Sequence, residues 1–238
     1  MSEENRNPWV VIPTYNEKMN ISKMIESLLS LSITNLSILV VDDSSPDGTS
    51  DIVADFQKEH ANINLLKRPK KSGLGRAYID GFAYAIEHGA THIVQMDADF
   101  SHNPKDVPVL LRELENQDLV LGSRYSNGIS VINWPLRRLL LSTAANTYAG
   151  LITGLPFKDS TGGFRAWRAS LLKRIDFQQI KVDGYGFQIA LLHKAWKAKA
   201  KVKGVPIIFT ERREGQSKMS NSIVFEAMWL VWKLRLFG

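Results

Sequence analysis

His92-Ile93-Val94-Gln95-Met96-Asp97-Ala98-Asp99-Phe100 decides how this chain is read. The first five residues form an apolar run with the character of a buried strand, and the run closes on two carboxylates one residue apart. In an extended backbone residues i and i+2 face the same side, so Asp97 and Asp99 converge at the strand's carboxyl end. Two like charges held close repel unless a cation sits between them. Hard oxygen ligands suit Mg²⁺ or Mn²⁺, and Mg²⁺ commonly shares its carboxylates with a substrate's phosphates. The pair therefore points to a metal-held diphosphate. A solvated Asp-rich turn is the alternative, and the surrounding chain decides between the two.

Working toward the N-terminus, residues 9–13 form a short apolar strand ending in Pro13-Thr14-Tyr15-Asn16-Glu17. Ile21, Met24, Ile25, Leu28 and Leu29 then recur at helical spacing. Residues 36–41 read as a second buried strand, closed by Asp42-Asp43-Ser44-Ser45-Pro46-Asp47-Gly48, where Pro46 and Gly48 mark a turn. A helix at about 50–60, a strand at 63–66 and a helix from Gly73-Leu74-Gly75-Arg76 to Gly89 precede the deciding stretch. A helix opened by Pro104 and a strand at 119–121 follow it. This alternation predicts an α/β fold with a mainly parallel, doubly wound sheet. Such sheets bind ligands outside the carboxyl ends of their strands. Glu17, Asp42 with Asp43, and Asp97 with Asp99 all fall at those ends.

The second half changes character. Trp134-Pro135 opens a strongly apolar helix over 135–153, with proline expected at its first position. Residues 204–210 read as one more strand, followed by a charged loop at 211–218 and an apolar terminal segment at 222–237. With no repeat or linker, residues 1–238 are expected to form one domain.

Composition narrows the function classes. The absence of cysteine excludes thiolate catalysis and disulfide staples, and is compatible with a reducing cytosol. The polar N-terminus lacks the apolar core of a signal peptide, and no apolar stretch approaches the ~20 residues that span a bilayer. The net charge of +6 suits an anionic partner. No RNP motif, zinc-finger spacing or helix-turn-helix favours nucleic acid.

Larger motifs carry a resemblance. PTYNE (13–17), VVDDSSPDGT (40–49), GLGRAYIDGF (73–82), DADFSHNP (97–104), GSRY (122–125), NWPLRR (133–138), STGGFRAWR (160–168) and REGQSK (213–218) resemble the family-2 glycosyltransferases of GT-A fold. Within them the chain is most similar to the dolichol/polyprenyl-phosphate mannose synthases, in their short form without transmembrane helices. The resemblance covers about residues 8–219. It implies that Pro13, Tyr15, Glu17 and Asp42 line the base and ribose, while Asp43 either assists or orders the loop. Asp97, Ala98 and Asp99 would meet the donor diphosphate, with Asp97 and Asp99 as ligands of Mg²⁺ or Mn²⁺. Ser101 stands where some members place a glutamine ligand, and a hydroxyl is a weaker one. Arg124, Arg138 and Arg212 would hold the acceptor phosphate, and Arg212 and Lys218 the donor diphosphate. Arg137 and Arg213 rank below them. His92, His102 and His193 are expected to play local structural roles.

The reaction implied is attack of a polyprenyl phosphate on the anomeric carbon of GDP-mannose, with inversion; a UDP-sugar donor is the alternative. The nucleophile is already an anion, because a phosphate monoester's second pKa is about 6. Positioning and electrostatics thus matter more than a general base. A hydroxyl acceptor would need one, and Asp159 would be the candidate; otherwise Asp159 orients the acceptor loop or caps the turn. The resemblance further implies a protein held peripherally at the cytoplasmic face of a membrane, in some members with small membrane-embedded partner subunits. Helices 135–153 and 222–237 are the candidate contacts, with Trp229, Trp232, Lys233 and Arg235 suited to the headgroup region.

Overall fold

The apolar runs Pro8–Thr14, Ser37–Asp42 and His92–Gln95 become strands because each is buried on both faces. The computed structural model describes residues 6–211 and 221–237. Strands β1 (Pro8–Thr14), β2 (Ser37–Asp42), β3 (Ile63–Lys67) and β4 (His92–Gln95) are mutually parallel, with Val10 opposite Ile38 and Val94. Helices α1 (Lys18–Leu29), α2 (Thr49–Glu59) and α3 (Leu74–Glu87) make the crossovers. After α4 (Val107–Glu113) come β5 (Leu119–Ser123), β6 (Val131–Ile132), α5 (Leu136–Thr153), β7 (Arg165–Arg168), α6 (Ala169–Ile175), α7 (Gly184–Lys197), β8 (Val202–Pro206), β9 (Phe209–Thr210) and α8 (Asn221–Phe237).

The sheet runs β3-β2-β1-β4-β7-β5-β8, and β7 lies antiparallel between β4 and β5. The expected mainly parallel α/β sheet is thus present. Side-chain alternation on β1 sends Val11 into one core layer and Val10 and Ile12 into the other. The first layer takes Phe82, Phe187 and Leu191; the second takes Met24, Ile25 and Leu110. Helix α3 lies so close to β1 that a Cβ on Gly81 would stand 2.5 Å from Val11 Cγ1, so only glycine fits there.

Three expectations need adjustment. The run 204–210 is two strands: Pro206 ends β8 at the sheet edge, and Phe209–Thr210 leaves to pair with β6. A proline has no N–H for further ladder bonds. Pro135 is the residue before the helix rather than its first, with extended ψ of 140°. Helices α6 and α7 and strand β7 carry the stretch 165–197, which had no predicted elements.

Helix α5 buries Asn146, Ala149 and Thr153 and turns Leu136, Leu140 and Leu151 to solvent. Helix α8 buries Leu230 and Val231 and exposes Trp229, Trp232 and Leu236. The two are tied by Trp232 Nε1 donating to Tyr148 Oη at 2.9 Å. Among the described residues no helix is long and apolar enough to cross a membrane.

Candidate active site

The carboxyl ends of β1, β2 and β4 open on one cavity of about 350 Å³. Pro13, Tyr15, Glu17, Asp97, Ala98, Asp99, Ser101, Arg124 and Arg138 all line it. Arg212, Arg213 and Lys218 lie outside the described residues.

At the β1 and β2 end, Tyr15 carries Lys71 Nζ 3.7 Å above its ring. Asp42 is buried beneath the loop: its Oδ1 accepts from Thr14 Oγ1 at 2.9 Å and Ser45 Oγ at 2.6 Å, and its Oδ2 from Ser45 N. Asp43, not Asp42, stands in the cavity wall. It pairs with the buried Arg68, accepts from Ser72 N at 3.1 Å, and is braced through Arg68 Nε to Asp80 at 2.9 Å.

At the β4 end, the chain leaves the core after Met96. Asp97 Oδ1 accepts the phenol hydrogen of buried Tyr78 at 2.8 Å. Burial, and then the Asp97 charge, pushes the Tyr78 pKa well above its ordinary value, so it stays a donor. Phe100 takes a left-handed φ of 58°, which turns the loop and lets Ser101 N donate to Asp99 Oδ1 at 3.0 Å. Ser101 Oγ is buried with no hydrogen-bond partner. That orphaned oxygen shares the cavity wall with the carboxylates of Asp97 and Asp99, which follow β4 by two and four residues, and this set of oxygens fits a hard divalent cation whose remaining ligands come from a diphosphate. Among the described residues no third acid or histidine joins them.

Of His92, His102 and His193, His102 enters the cavity wall, stacked on Phe164 with ring centroids 5.0 Å apart. Burial lowers its pKa against the opposing pull of Asp97 and Asp99, so the ring is neutral. His92 and His193 are buried away from the cavity.

Beyond β4 the wall turns cationic, and each cation already holds an acid. Arg124 Nε donates to Asp159 Oδ2 at 2.8 Å and Nη2 to Oδ1 at 2.5 Å, and Nη2 also reaches Thr161 Oγ1. Burial disfavours both charges, but their attraction prevails, raising the Arg124 pKa and lowering that of Asp159. Asp159 also accepts from Gly162 N at 3.1 Å, so it orients the loop and caps its turn together. Arg138 pairs with Glu211, its guanidinium 4.3 Å from the Trp134 ring. Arg137 is exposed and is not among the residues lining this cavity.

A second cavity of about 280 Å³ adjoins the first, and the two share Arg124, Arg138, Thr161 and Tyr185. The remainder of the second is largely apolar: Leu141, Ala144, Ala145 and Ala149 of α5, Ile189 of α7, and Met228 and Val231 of α8. Asn146 ties α5 to the loop that carries Thr161, accepting from Ser160 N at 2.7 Å and Thr161 N at 3.2 Å. The residues missed by sequence reasoning are Thr161, Tyr185, Gln188 and Glu211. Thr161 lies in the STGGFRAWR motif and Glu211 opens the charged loop, so a signal stood near both; Tyr185 and Gln188 sit in no such pattern, and only the fold brings them here.

Residues 9–176 match the family model described as glycosyl transferase family 2. The chain is 41% identical over 218 residues to the undecaprenyl-phosphate mannosyltransferase of Micrococcus luteus, covering 92% of this chain and 89% of that one. It is 42% identical over 230 residues to the polyprenol monophosphomannose synthase of Mycolicibacterium smegmatis, covering 95% and 86%. Among solved structures, glucosyl-3-phosphoglycerate synthase from Mycobacterium tuberculosis, in complex with Mn²⁺, UDP and glucosyl-3-phosphoglycerate, matches with a TM-score of 0.67. That match covers 98% of this chain and 78% of the other at 20% identity, a likeness of fold. With the DxD pair at the end of β4 and the family model spanning most of the sheet, this chain is a glycosyltransferase and belongs to glycosyl transferase family 2.

Proposed function

We propose that this chain transfers mannose from GDP-mannose to a polyprenyl phosphate such as dolichyl phosphate, inverting the anomeric centre, with residues 1–238 acting as one catalytic unit. The observation that carries the reading is the joined pair of cavities. One is polar and holds Asp97 and Asp99; the other is apolar; the wall between them presents Arg124 and Arg138. An acceptor that is a phosphate on a hydrocarbon chain matches that division: its head meets the arginines and its first isoprene units lie between α5 and α8. The two mannosyl-transferring relatives support the same sugar and acceptor class.

On this reading Tyr15, Glu17 and Asp43 receive the nucleoside, and Asp97 and Asp99 hold a divalent metal, Mg²⁺ or Mn²⁺, with Ser101 Oγ at its side. When bound, the metal supplies Lewis-acid stabilisation of the departing diphosphate. Arg124, oriented by Asp159, retains Nη1 for an oxyanion. The acceptor phosphate oxygen forms the new bond to the anomeric carbon as the bond to the diphosphate oxygen breaks. A dianionic nucleophile gives up no proton, so the site requires no base. Asp159 could not serve as one in any case: buried and doubly bonded to Arg124, it is held below the usual carboxylate range. This argues against a hydroxyl acceptor. The exposed Leu136, Leu140, Trp229, Trp232 and Leu236 fit a peripheral position on the cytoplasmic face of a membrane.

The test is transfer of radiolabelled sugar to a short polyprenyl phosphate in detergent with Mg²⁺ or Mn²⁺, comparing GDP-mannose with UDP-glucose and UDP-GlcNAc. Label entering the lipid phase from GDP-mannose alone is expected. Label from a UDP-sugar alone would overturn the donor. Transfer that appears only when membranes are added would point to a membrane-embedded partner subunit.

A further inference from the structure

Gln188 of α7 is 3% exposed, yet its side chain reaches the polar cavity beside Asp97. Its orientation is set by a chain of hydrogen bonds anchored on a group that can act in only one way. The indole of Trp167 only donates. Trp167 Nε1 lies 3.3 Å from Gln95, so the Gln95 atom there is the oxygen, Oε1. Gln95 then turns its Nε2 outward and donates to Gln188 Oε1 at 2.9 Å. Gln188 Nε2 is therefore the atom presented beyond. The amide assignments, ordinarily ambiguous, follow from the one-way anchor.

The far side of that amide is a small gap. A Cβ built on Gly163 would stand 3.6 Å from Gln188 Nε2 and 3.6 Å from Asp97 Oδ2. Asp97 Oδ1 stands 3.9 Å from the same point but is already engaged by Tyr78, so Oδ2 is the oxygen left for a group in this gap. Glycine keeps it open. A hydroxyl seated between them accepts from Gln188 Nε2 and donates to Asp97 Oδ2.

The sheet order says which part of the donor arrives there. Across β2-β1-β4-β7 the nucleoside groups lie at β2 and β1, the diphosphate groups at β4, and Gly163 just before β7. The next group along the donor after the diphosphate is the transferred sugar. We propose that Gln188 is a specificity-determining residue that reads one hydroxyl of the transferred sugar, held in register by Gln95 and Trp167. This rests on the donor reading above. A neutral amide suits an uncharged hydroxyl. An epimer that turns this hydroxyl away leaves a buried amide unpaired, the kind of mismatch that discriminates substrates strongly.

Two variants separate the role from folding. Gln188→Glu keeps an acceptor for Gln95 Nε2 and replaces the N–H donors with a carboxyl beside Asp97; Gln188→Met removes donor and acceptor at similar volume without adding charge. Transfer is measured with GDP-mannose and its monodeoxy derivatives at each ring hydroxyl, and GDP binding is measured by calorimetry. In the wild type, one deoxy donor should lose on the order of 10- to 100-fold in kcat/KM. Both variants should lose about as much with GDP-mannose, lose nothing further with that one deoxy donor, and bind GDP as the wild type does. Equal losses on every deoxy donor, or GDP affinity falling in parallel, overturn the assignment. A wild type that transfers from no nucleotide sugar, even with membranes supplied, overturns the donor reading itself. A wild type that transfers normally alongside unimpaired Gln188 variants overturns only the role of Gln188.

Discussion

At one end of the joined cavity the acids stand at strand termini, whereas at the other end each arginine is already clamped. Asp97 accepts from the neutral phenol of Tyr78, which leaves its charge for a cation. Arg124 and Arg138 instead meet Asp159 and Glu211 before any substrate arrives. The difference follows from what each end must bind. The DxD carboxylates keep their charge, since the Tyr78 phenol and Ser101 N that donate to them are neutral. A guanidinium as buried as Arg124 needs a resident anion, because an unpaired buried charge is among the costliest defects in a protein.

The largest effect should come from breaking the acidic end. Asp97→Asn or Asp99→Asn keeps the shape of the loop and removes the charge. Turnover should fall on the order of 10³-fold with little change in Tm. Full activity in both variants, persisting after chelation, would remove the metal from the reading. The cationic end should respond in stability instead. Asp159→Asn leaves Arg124 buried without its partner, which costs about 3–5 kcal/mol in urea unfolding. An unfolding free energy within error of wild type would show that the pair is not buried in solution.

The same two ends differed in how far the sequence disclosed them. Strands β1, β2 and β4 are buried on both faces, so each appears as a largely apolar run with an acid at or shortly after its end. Strand β7 reads Arg-Ala-Trp-Arg, with no apolar run at all. It can be central because Ala166 and Trp167 are fully buried and Arg165 finds three carbonyl oxygens, those of Gly162, Gln188 and Ser160. Burial pulls the Arg165 pKa down to about 9, a sign of how little water reaches it. Helix α7 buries every residue from Gly186 to His193, which erases the 3.6-residue period that betrays a helix. The Asp42-Asp43 pair shows the limit at single-residue scale. Neighbours in an extended strand face opposite ways, and Asp42 is the last residue in register, opposite Thr14. The hydroxyls of Thr14 and Ser45 hold it under the loop, and the next residue faces the cavity. Nothing in the run itself says which aspartate ends the strand.

The two clamped arginines can be compared with each other. The Arg138–Glu211 pair is about a quarter exposed on each side, and Glu211 Oε2 is buried without a partner. A phosphate can therefore replace Glu211 on Arg138 more readily than it could replace Asp159 on Arg124. Arg138→Ala should raise the acceptor's KM about 10-fold and leave the donor's unchanged. Glu211→Gln should lower the acceptor's KM about threefold, since a partly exposed pair is weak. A rise in that KM would mean that Glu211 aids binding and does not compete with it.

The smallest effect concerns acid, and it separates scaffold from site. His92 begins β4 and His102 lies just past its end, and burial lowers both pKa values, that of His92 to about 4. His193 is lowered by burial as well. Between about 4 and 6.5 the unfolded chain therefore binds protons that the folded chain refuses. Stability rises with pH wherever the unfolded state holds more protons, so it should climb through this window and level off above 6.5. Asp159, lowered from 3.8, contributes stability that is lost only at still lower pH, whereas Asp106, raised by burial, opposes the slope at the acid edge of the window, so the histidines dominate its upper part. Urea midpoints at pH 7.5, 6.5, 5.5 and 4.5, taken without substrate, should show this slope, and His92→Gln should make it shallower. Turnover will also fall below pH 6 as the acceptor phosphate gains a proton. Because that loss belongs to the substrate, His92→Gln should leave the pH profile of kcat unmoved while changing the midpoints. A shift in both would mean that the amino end of β4 communicates with the DxD pair at its carboxyl end.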